Sequence, residues 1–467
     1  MKLAFHGAAR VVTGSKHLLT LDNGKKYLLD CGMFQGMGRD TDNMNREWGF
    51  NPREIDCLIL SHAHIDHTGL IPKLYKDGFR GLIYCTPGTK ALTEILLEDS
   101  AQIQEEDTRF ANKHRLAEGH PPQQPLFKRH DAAEAMKLFK EVEYGTSYKI
   151  DEHIEVLFTD TGHIIGSAAV HLKIHEPGKT ILLTFSGDVG RYNDMILRPP
   201  QDFPQADYIL LESTYGDKLH DVEITTPDNL LNWINRTCLT KKGKLIIPAF
   251  SVGRTQELLF ALNQLEIENR LPALDYFVDS PMSIEVTEVV KRFPDYFNEA
   301  IQKLLISDKD PFAFRGLKYI KTVEESKQLN YRKGPFVIIA ASGMADSGRV
   351  KHHISNNIEN SRNTVLMVGY AERNSLGGRL LAGEKEVRIF GVEHEVHAEV
   401  GSVRSMSAHG DYEDLCRFIL HQDPAKLRSI FLVHGDYDTQ LAFRETLLKR
   451  GFSQVEIPDL HQELILK

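Results

Sequence analysis

The chain has 467 residues, of which 41% are hydrophobic and 26% charged, a composition typical of a globular protein with about two or three domains and not of a disordered or fibrous one. Its formal net charge of −9 argues against a polyanion held by bulk charge but leaves open one held in a local basic groove. The five cysteines are scattered and form no CxxC pair, which indicates neither a disulfide framework nor a thiolate zinc knuckle.

The N-terminal sequence MKLAFHGAARVVTG has neither the apolar core nor the cleavage site of a secretory signal. No window of the chain approaches the roughly 18 consecutive apolar residues of a membrane-spanning helix. We therefore expect a cytoplasmic protein with no membrane partner.

The first part of the chain alternates short apolar runs with Gly, Asn and Asp, a pattern that predicts strands joined by tight turns. LDNGKKYLL predicts a hairpin through Asn23 and Gly24. From about Lys90 to Lys140 the pattern is helical around a polar loop. Strands return at IEVLFTDT, AAVHLKI, KTILLTFSGD and ADYILLEST.

After Gly216, strands alternate with long helical patterns: KLIIPAF precedes TQELLFALNQLEIEN, and PFVIIAAS precedes RVKHHISNNI. Alternating units of this kind predict a parallel sheet with helices on its faces. We expect a separate domain over roughly residues 215–400. From about Val403 the chain returns to a helix, the strand SIFLVH and a short αβ unit.

The segment SHAHIDH follows the apolar run CLIL and contains His62, His64, Asp66 and His67. Residues two apart in an extended segment project from the same face, so the first two imidazoles converge. Imidazole and carboxylate ligands together suit zinc and its neighbours in the first transition row, whereas an all-oxygen site would suit magnesium or calcium. Ordinary polar loop residues are the alternative, but four possible ligand residues in six positions need a common reason.

Four further candidates lie at the ends of apolar strands: Asp30, His163, Asp188 and His434. Each alone is more often a turn residue or an N-cap than a ligand. If these strand ends meet at one edge of a sheet, their side chains form a cluster of candidate metal ligands. Their number suits two metals better than one, and a pair about 3.5–4 Å apart can hold a bridging hydroxide that attacks a phosphate ester.

The string HAHIDH, with LLDCG upstream and TGHIIGS, SGD and LVHGD downstream, resembles the signature of the metallo-β-lactamase superfamily. LLESTYG, PAFSVGRTQELL, ASGMADSGR and SMSAHGDY resemble motifs of its β-CASP branch of nucleases. The resemblance implies an α/β protein in which a four-layer αββα metallo-β-lactamase fold, residues 1–212 and 403–467, carries an inserted β-CASP domain, residues 213–402.

Within that branch the chain is most similar to short bacterial forms of the endonuclease-subunit type of cleavage and polyadenylation specificity factor. RNA-acting members end the last strand in His, as at His434, whereas DNA-acting relatives carry Val. The resemblance implies two zinc ions, with manganese as the alternative. It also implies the ligand sets: His62, His64 and His163 for one metal, Asp66, His67 and His434 for the other, Asp188 as the bridge, and Asp30 as an acceptor behind a ligand histidine.

The same resemblance implies that Asp66, Glu212 and His409 are catalytic residues. A carboxylate beside an imidazole favours its protonated form, so His409 could donate a proton to the leaving 3′-oxygen or hold the scissile phosphate. Without the family context, caps and turns would explain Glu212 and His409 equally well.

Residues of the inserted domain are the candidate phosphate contacts. Ser342, Gly343 and Arg349 lie in ASGMADSGR, between a strand and a helix, and Arg254 lies at a helix start. Backbone N–H groups at such positions can approach an anion. Ordinary βα turns are the alternative.

We therefore expect a zinc-dependent ribonuclease that hydrolyses single-stranded RNA through a two-metal bridging hydroxide, acting internally or from an end. Single strands are favoured because the groove of duplex RNA is poorly accessible. A homodimer is expected by analogy alone. The alternatives are a DNA nuclease, a small phosphodiester hydrolase, or an inactive RNA-binding scaffold. The scaffold is disfavoured because every expected metal-ligand position holds a residue that can ligate a metal.

Overall fold

The structure, a computed structural model, describes residues 1–117, 119–220, 225–369, 371, 373–403 and 406–467. It divides into two compact units: Met1–Leu219 with His409–Lys467, and His220–Ala408. The predicted divisions at residues 212 and 403 lie a few residues before these bounds.

The first unit begins with a succession of short strands and helices, interrupted by one long helix. Its elements up to the first crossing into the second unit are β1 (Lys2–Phe5), β2 (His17–Thr20), β3 (Lys26–Leu29), α1 (Thr41–Arg46), β4 (Cys57–Ile59), α2 (Ile65–Thr68), α3 (Ile71–Lys76), β5 (Leu82–Cys85), α4 (Pro87–Ala117), α5 (Arg129–Met136), β6 (Phe139–Glu141), β7 (Tyr148–Lys149), β8 (Ile154–Asp160), β9 (Ala168–Glu176), β10 (Lys179–Phe185) and β11 (Tyr208–Glu212).

The second unit alternates strands and helices, as its sequence pattern predicts. Its elements are α6 (Thr226–Ile234), β12 (Lys244–Pro248), α7 (Arg254–Ile267), β13 (Tyr276–Val278), α8 (Pro281–Val290), α9 (Glu299–Leu304), β14 (Leu317–Tyr319), α10 (Val323–Tyr331), β15 (Phe336–Ala340), α11 (Gly348–Asn357), β16 (Thr364–Val368), α12 (Leu376–Leu381), β17 (Glu386–Ile389), β18 (Val392–Glu395) and β19 (Glu399–Val403).

The chain then returns to the first unit. This last segment contains α13 (Tyr412–Ile419), β20 (Ser429–Val433), α14 (Tyr437–Lys449), β21 (Val455–Glu456) and β22 (Glu463–Ile465). Two of these strands complete the sheets of the unit: β20 pairs with β11 in parallel, and β22 pairs with β1 in antiparallel fashion. The segment after the insertion is therefore an integral part of the first unit.

Two sheets face each other in the first unit. Among the described residues, one has the strand order β22-β1-β2-β3-β4-β5-β6 and the other β21-β20-β11-β10-β9-β8-β7. The predicted hairpin is confirmed, since β2 and β3 pair in antiparallel fashion and Gly24 between them has a φ of 88°. Such a positive φ suits glycine because it has no Cβ.

Apolar side chains from both sheets form the central core, including Phe5, Tyr27, Phe158 and Phe185. Full burial of each such side chain contributes roughly 1.5–3 kcal/mol. Helices α3, α4 and α5 pack on the outer face of the first sheet, and α13 and α14 pack on that of the second. This succession of helices, sheet, sheet and helices is the predicted αββα layering.

The sheet of the second unit is parallel, with the order β14-β13-β15-β12-β16-β19 among the described residues. Every residue of β15 and β16 is buried, as expected for strands covered on both faces. The predicted parallel sheet flanked by helices is confirmed. No helix in the described part of the chain combines the length and the apolar character needed to cross a membrane.

Candidate metal centre

The candidate centre begins where β4 ends and the chain turns into α2. His64 has an extended backbone (φ −55°, ψ 149°) immediately before the helix. The hydroxyl of Thr68 donates to the carbonyl oxygens of Ala63 and His64, each at 2.9 Å, and closes the turn. The turn therefore places His62 and His64 before the helix and Asp66 and His67 within it.

The first group of donors consists of His62, His64, His163 and Asp188. The Nδ1 atom of His64 lies 3.1 Å from the Nε2 atoms of both other histidines. The Oδ2 atom of Asp188 lies 3.4 Å from each of those two Nε2 atoms. Donor atoms around a tetrahedral zinc ion with bonds of about 2.0–2.2 Å are about 3.3–3.6 Å apart, so these separations fit one small cation.

The second group consists of Asp66, His67 and His434. The Nε2 atoms of the two histidines are 3.2 Å apart, and the Oδ2 atom of Asp66 lies 3.4 Å from that of His434 and 4.0 Å from that of His67. In both groups all donor atoms lie within 4.8 Å of one another.

Asp188 lies between the two groups. Its Oδ2 faces the first group, whereas its Oδ1 lies 3.3 Å from His67 Nε2 and 3.6 Å from His434 Nδ1. Among the described residues, that Oδ1 is buried without a hydrogen-bond partner. Burial of an unsatisfied carboxylate oxygen is costly, and a cation between the groups would remove that cost. The donor set therefore fits metal ions.

The protonation states of His62, His64 and Asp188 also favour metal binding. Burial lowers the pKa of His64 to about 4 and that of His62 well below its usual value, so both imidazoles are neutral near pH 7, the form that ligates a metal. Burial alone would raise the pKa of Asp188, but the surrounding histidines, His434 first, hold it well below its usual range. The carboxylate is therefore ionised.

Asp30 orients a ligand of the second group. Its Oδ2 lies 2.6 Å from His67 Nδ1, while the backbone N–H and the hydroxyl of Ser61 both donate to the carboxylate at 2.8 Å. His67 therefore presents Nε2 to the centre. This carboxylate–histidine arrangement is common behind metal ligands.

Thr214 has the corresponding position behind His434, and sequence reasoning missed it. Its Oγ1 lies 3.0 Å from His434 Nδ1 and donates to the carbonyl oxygen of the same residue at 3.1 Å. The hydroxyl can thus accept from Nδ1–H, which leaves Nε2 for a metal. The signal in the sequence was its place in LLESTYG, two residues after Glu212.

Glu212 and His409 meet beside Asp188. Glu212 ends β11, is fully buried, and accepts from the backbone N–H of Val189 at 2.7 Å. Its Oε1 lies 3.1 Å from His409 Nδ1, which is 3.9 Å from Asp188 Oδ2. Burial would lower the pKa of His409, but Glu212 and then Asp188 outweigh it and raise the pKa to about 9. His409 is therefore protonated at neutral pH.

The predicted phosphate contacts lie in the second unit and already have protein partners. Arg349 donates to Asp279 at 2.6 Å and to the carbonyl oxygen of Lys321 at 3.0 Å. Arg254 is 4% exposed and pairs with Glu257, although its Nε has no hydrogen-bond partner among the residues that the structure describes.

Two further phosphate candidates follow β15. The carbonyl oxygen of Ser342 accepts from the backbone N–H of Ala345 at 3.1 Å. The Cα of Gly343 packs against the ring of Phe250, where a Cβ would lie 2.4 Å from a ring carbon. Contact of these residues with phosphate stays a prediction. Residues 404 and 405 of the motif SVRSMSAHG lie outside the described residues.

Three family models match the sequence: "Metallo-beta-lactamase superfamily" over residues 14–248, "Beta-Casp domain" over residues 255–380 and "Zn-dependent metallo-hydrolase RNA specificity domain" over residues 393–458. The last range contains His409 and His434.

Curated proteins resemble the chain over almost its whole length. It is 36% identical over 451 residues to Ribonuclease TTHA0252 of Thermus thermophilus, and the match covers 97% of each chain. It is 30% identical over 450 residues to an RNase J-like protein of Methanocaldococcus jannaschii, covering 96% of this chain and 95% of that protein. It is 29% identical over 447 residues to Transcription termination factor FttA of Cenarchaeum symbiosum, covering 93% of this chain but 66% of that protein.

Proposed function

Because the chain belongs to the metallo-β-lactamase superfamily and carries the inserted β-CASP domain of its nuclease branch, we propose that it is a ribonuclease, a metal-dependent hydrolase that cuts single-stranded RNA with two zinc ions. The observation that carries the proposal is the buried Oδ1 of Asp188, which lies between two groups of imidazole and carboxylate donors and has no hydrogen-bond partner in the described part of the chain.

The proposed ligands follow the two donor groups. His62, His64 and His163 would hold one ion, Asp66, His67 and His434 would hold the other, and Asp188 would be shared. When bound, two zinc ions, or manganese ions in their place, would supply an activated water and neutralise charge on the phosphodiester. Asp30 and Thr214 would keep one nitrogen of each neighbouring ligand histidine pointed at the centre.

His409 is the proposed proton donor. Glu212 lies against its Nδ1 and favours the protonated ring, which leaves Nε2–H for the oxygen that departs from the phosphate. Of the three predicted catalytic residues, Asp66 is also a proposed metal ligand. Glu212 acts through His409 rather than on the RNA itself.

RNA is the proposed polymer for two reasons. The match to an RNA specificity domain includes both His409 and His434, and two of the similar proteins carry ribonuclease names. Single strands are proposed because the deep groove of duplex RNA excludes side chains. The proposed phosphate contacts are Ser342, Gly343, Arg349 and Arg254. The cytoplasmic location and the homodimer stay predictions.

The test uses zinc-loaded protein with matched single-stranded RNA and DNA oligonucleotides labelled in turn at each end. His434→Ala and His409→Ala are compared with His175→Ala, a matched control on β9 whose ring contacts Glu155 away from the centre. The expected result is RNA-selective cleavage that the control retains and that both site variants strongly reduce. The labels separate internal cutting from trimming at an end.

Other outcomes contradict parts of the proposal. Equal cleavage of both polymers would remove RNA selectivity, and cleavage of small phosphodiesters alone would favour the alternative hydrolase. Two bound zinc ions without cleavage of any phosphodiester would favour an RNA-binding scaffold.

A further inference from the structure

Lys16 is a charged residue enclosed within the first unit. Its side chain is 0% exposed, and burial lowers its pKa to about 7. A lysine is almost never fully buried unless its ammonium group has partners. The residue takes no part in the chemistry proposed above, so its burial needs another reason.

The ammonium group has three partners of complementary charge. Its Nζ donates to the carbonyl oxygens of Gly14 and Gly32, each at 2.8 Å. The third partner is the ring of Phe34, whose centroid lies 4.2 Å from Nζ. Carbonyl oxygens and an aromatic face both attract a cation. Lys16 therefore joins the loop before β2 to the loop after β3.

Both loops hold the backbone of two consecutive proposed metal ligands, Asp66 and His67. The backbone N–H of Ser15 donates to the carbonyl oxygen of Asp66 at 2.8 Å, and that of Cys31 donates to the carbonyl oxygen of His67 at 2.8 Å. Gly32 packs so closely that a Cβ on it would lie 1.6 Å from the Asp66 carbonyl oxygen and 2.8 Å from the His67 nitrogen. The carbonyl that Lys16 holds belongs to this same glycine.

From these contacts we infer that Lys16 is a positioning residue for the metal centre: its ammonium group fixes Gly14 and Gly32 against the Asp66–His67 peptide and thereby sets the metal affinity of the second donor group. The inference rests on the proposed metal-dependent function. It assigns Lys16 no contact with the metal or the RNA.

The effect is confined to one donor group. Asp66 and His67 lie directly against the two loops that Lys16 joins through its hydrogen bonds to Gly14 and Gly32, whereas His62 and His64 precede α2 and His163 follows β8. Loss of the ammonium group therefore weakens metal binding at the second group by about 10–100-fold, the usual range for residues behind metal ligands, and leaves the first group unchanged.

Lys73 provides a matched control. It is 7% exposed, its Nζ lies 4.2 Å from the ring centroid of Trp48, and it pairs with Asp77 at 2.7 Å. Lys73→Met therefore also removes a buried ammonium group from an aromatic face. Lys73 makes no hydrogen bond to the loops that contact Asp66 and His67 among those that the described residues show.

The experiment titrates metal-free protein with zinc against a competing chelator and follows cobalt binding by absorption. The parent protein and Lys73→Met are expected to bind two ions per chain with the same two affinities. Lys16→Met is expected to retain the first affinity and lose about 10–100-fold in the second. Circular dichroism checks that each variant is folded.

A second variant keeps the test decisive if Lys16→Met does not fold. Phe34→Leu removes the ring below the ammonium group and keeps both carbonyl partners, so it is expected to weaken only the second site by a few-fold. Unchanged second-site affinity in the folded variant, Lys16→Met or Phe34→Leu, would overturn the inference about Lys16. Absence of zinc binding in the parent protein would instead overturn the proposed function.

Discussion

Asp188 in the first unit and Asp279 in the second are both buried beside histidines, and the two sites differ in how the carboxylate is satisfied. In the second unit, Asp279 accepts from Ser326 at 2.5 Å, from Arg349 at 2.6 Å and from His353 at 2.6 Å. In the first unit, Asp188 has histidine nitrogens around it at 3.3–3.9 Å, and its Oδ1 accepts no hydrogen bond from any described residue.

Burial and a low pKa do not distinguish the two aspartates. Asp279 and Asp188 are 0% and 2% exposed. Burial would raise the pKa of both carboxyl groups, but protein partners lower it, led by His353 for Asp279 and by His434 for Asp188. The difference is whether donors already satisfy the oxygens. A satisfied carboxylate stabilises a fold, whereas an unsatisfied one among imidazoles is suited to a cation.

The largest expected effect comes from removing the shared ligand. Asp188→Ala is expected to lower RNA cleavage by about 10³-fold or more, because a metal ion contributes several kcal/mol to transition-state stabilisation. The metal content of Asp188→Ala, measured by mass spectrometry, is expected to fall together with the rate of RNA cleavage. A variant that retained both zinc ions would show that Asp188 does not bridge them.

The matching change in the second unit should affect stability instead. Asp279→Asn leaves Arg349 and His353 without their buried counter-charge, which typically costs about 3–5 kcal/mol in the free energy of unfolding. Urea unfolding measures this loss, while zinc content equals that of the parent protein. Loss of zinc from folded Asp279→Asn would contradict the separation between the two aspartates.

Removal of the proposed proton donor should separate catalysis from metal binding. His409→Ala is expected to slow cleavage by about 10²-fold or more, in the range of general acid contributions, because the leaving oxygen loses its acid. Both zinc ions remain, as titration against a chelator would show. Unchanged single-turnover cleavage would remove His409 from the mechanism.

The pH dependence of stability tests the pair formed by Glu212 and His409 in metal-free protein. The folded state raises the pKa of His409 from 6.5 to about 9, so its contribution to the free energy of unfolding is fully present below about pH 6.5 and is lost as the pH rises through about 9. Glu212→Gln removes the main cause of the shift. Unfolding at pH 6 and pH 10 should therefore differ less in Glu212→Gln than in the parent protein, and an equal difference would contradict the pairing.

The smallest expected effect concerns Arg349, which donates to Asp279 and is also a proposed phosphate contact. If its guanidinium also contacts phosphate, Arg349→Ala weakens RNA binding a few-fold and lowers the salt slope by about 1. Asp279→Asn is the control, because it breaks the same ion pair and keeps the guanidinium. Equal RNA affinity in the parent protein and Arg349→Ala would leave Arg349 with the structural role alone.

Much of the fold followed from local patterns. The hairpin at Gly24 and the parallel sheet of the second unit were predictable because turn residues and strand hydrophobicity are properties of short segments. The resemblance to the superfamily, carried by HAHIDH and the later motifs, is likewise confirmed by the family matches. The metal roles of individual residues stay predictions.

The partners of several polar residues were not predictable. Thr214 lies 220 positions from His434 along the chain, so no local pattern links the two residues. Arg349 follows a glycine at the start of a helix, a position typical of anion binding, yet it donates to Asp279, 70 positions away. Contacts of this kind depend on which strands become neighbours in the folded sheets.

The amino-acid sequence by itself determined the strands, the helices and the chemical types of the ligands, because periodicity and side-chain chemistry act over short distances. Only the tertiary structure decided which ends of strands meet. Among the described residues, Asp188 is left with an unsatisfied oxygen among histidines, whereas Asp279 accepts three side-chain hydrogen bonds. Only the tertiary structure also enclosed Lys16 between two loops at the Asp66–His67 peptide. The physical reason is that hydrogen-bond satisfaction of a buried group depends on atoms from segments that are distant in the chain.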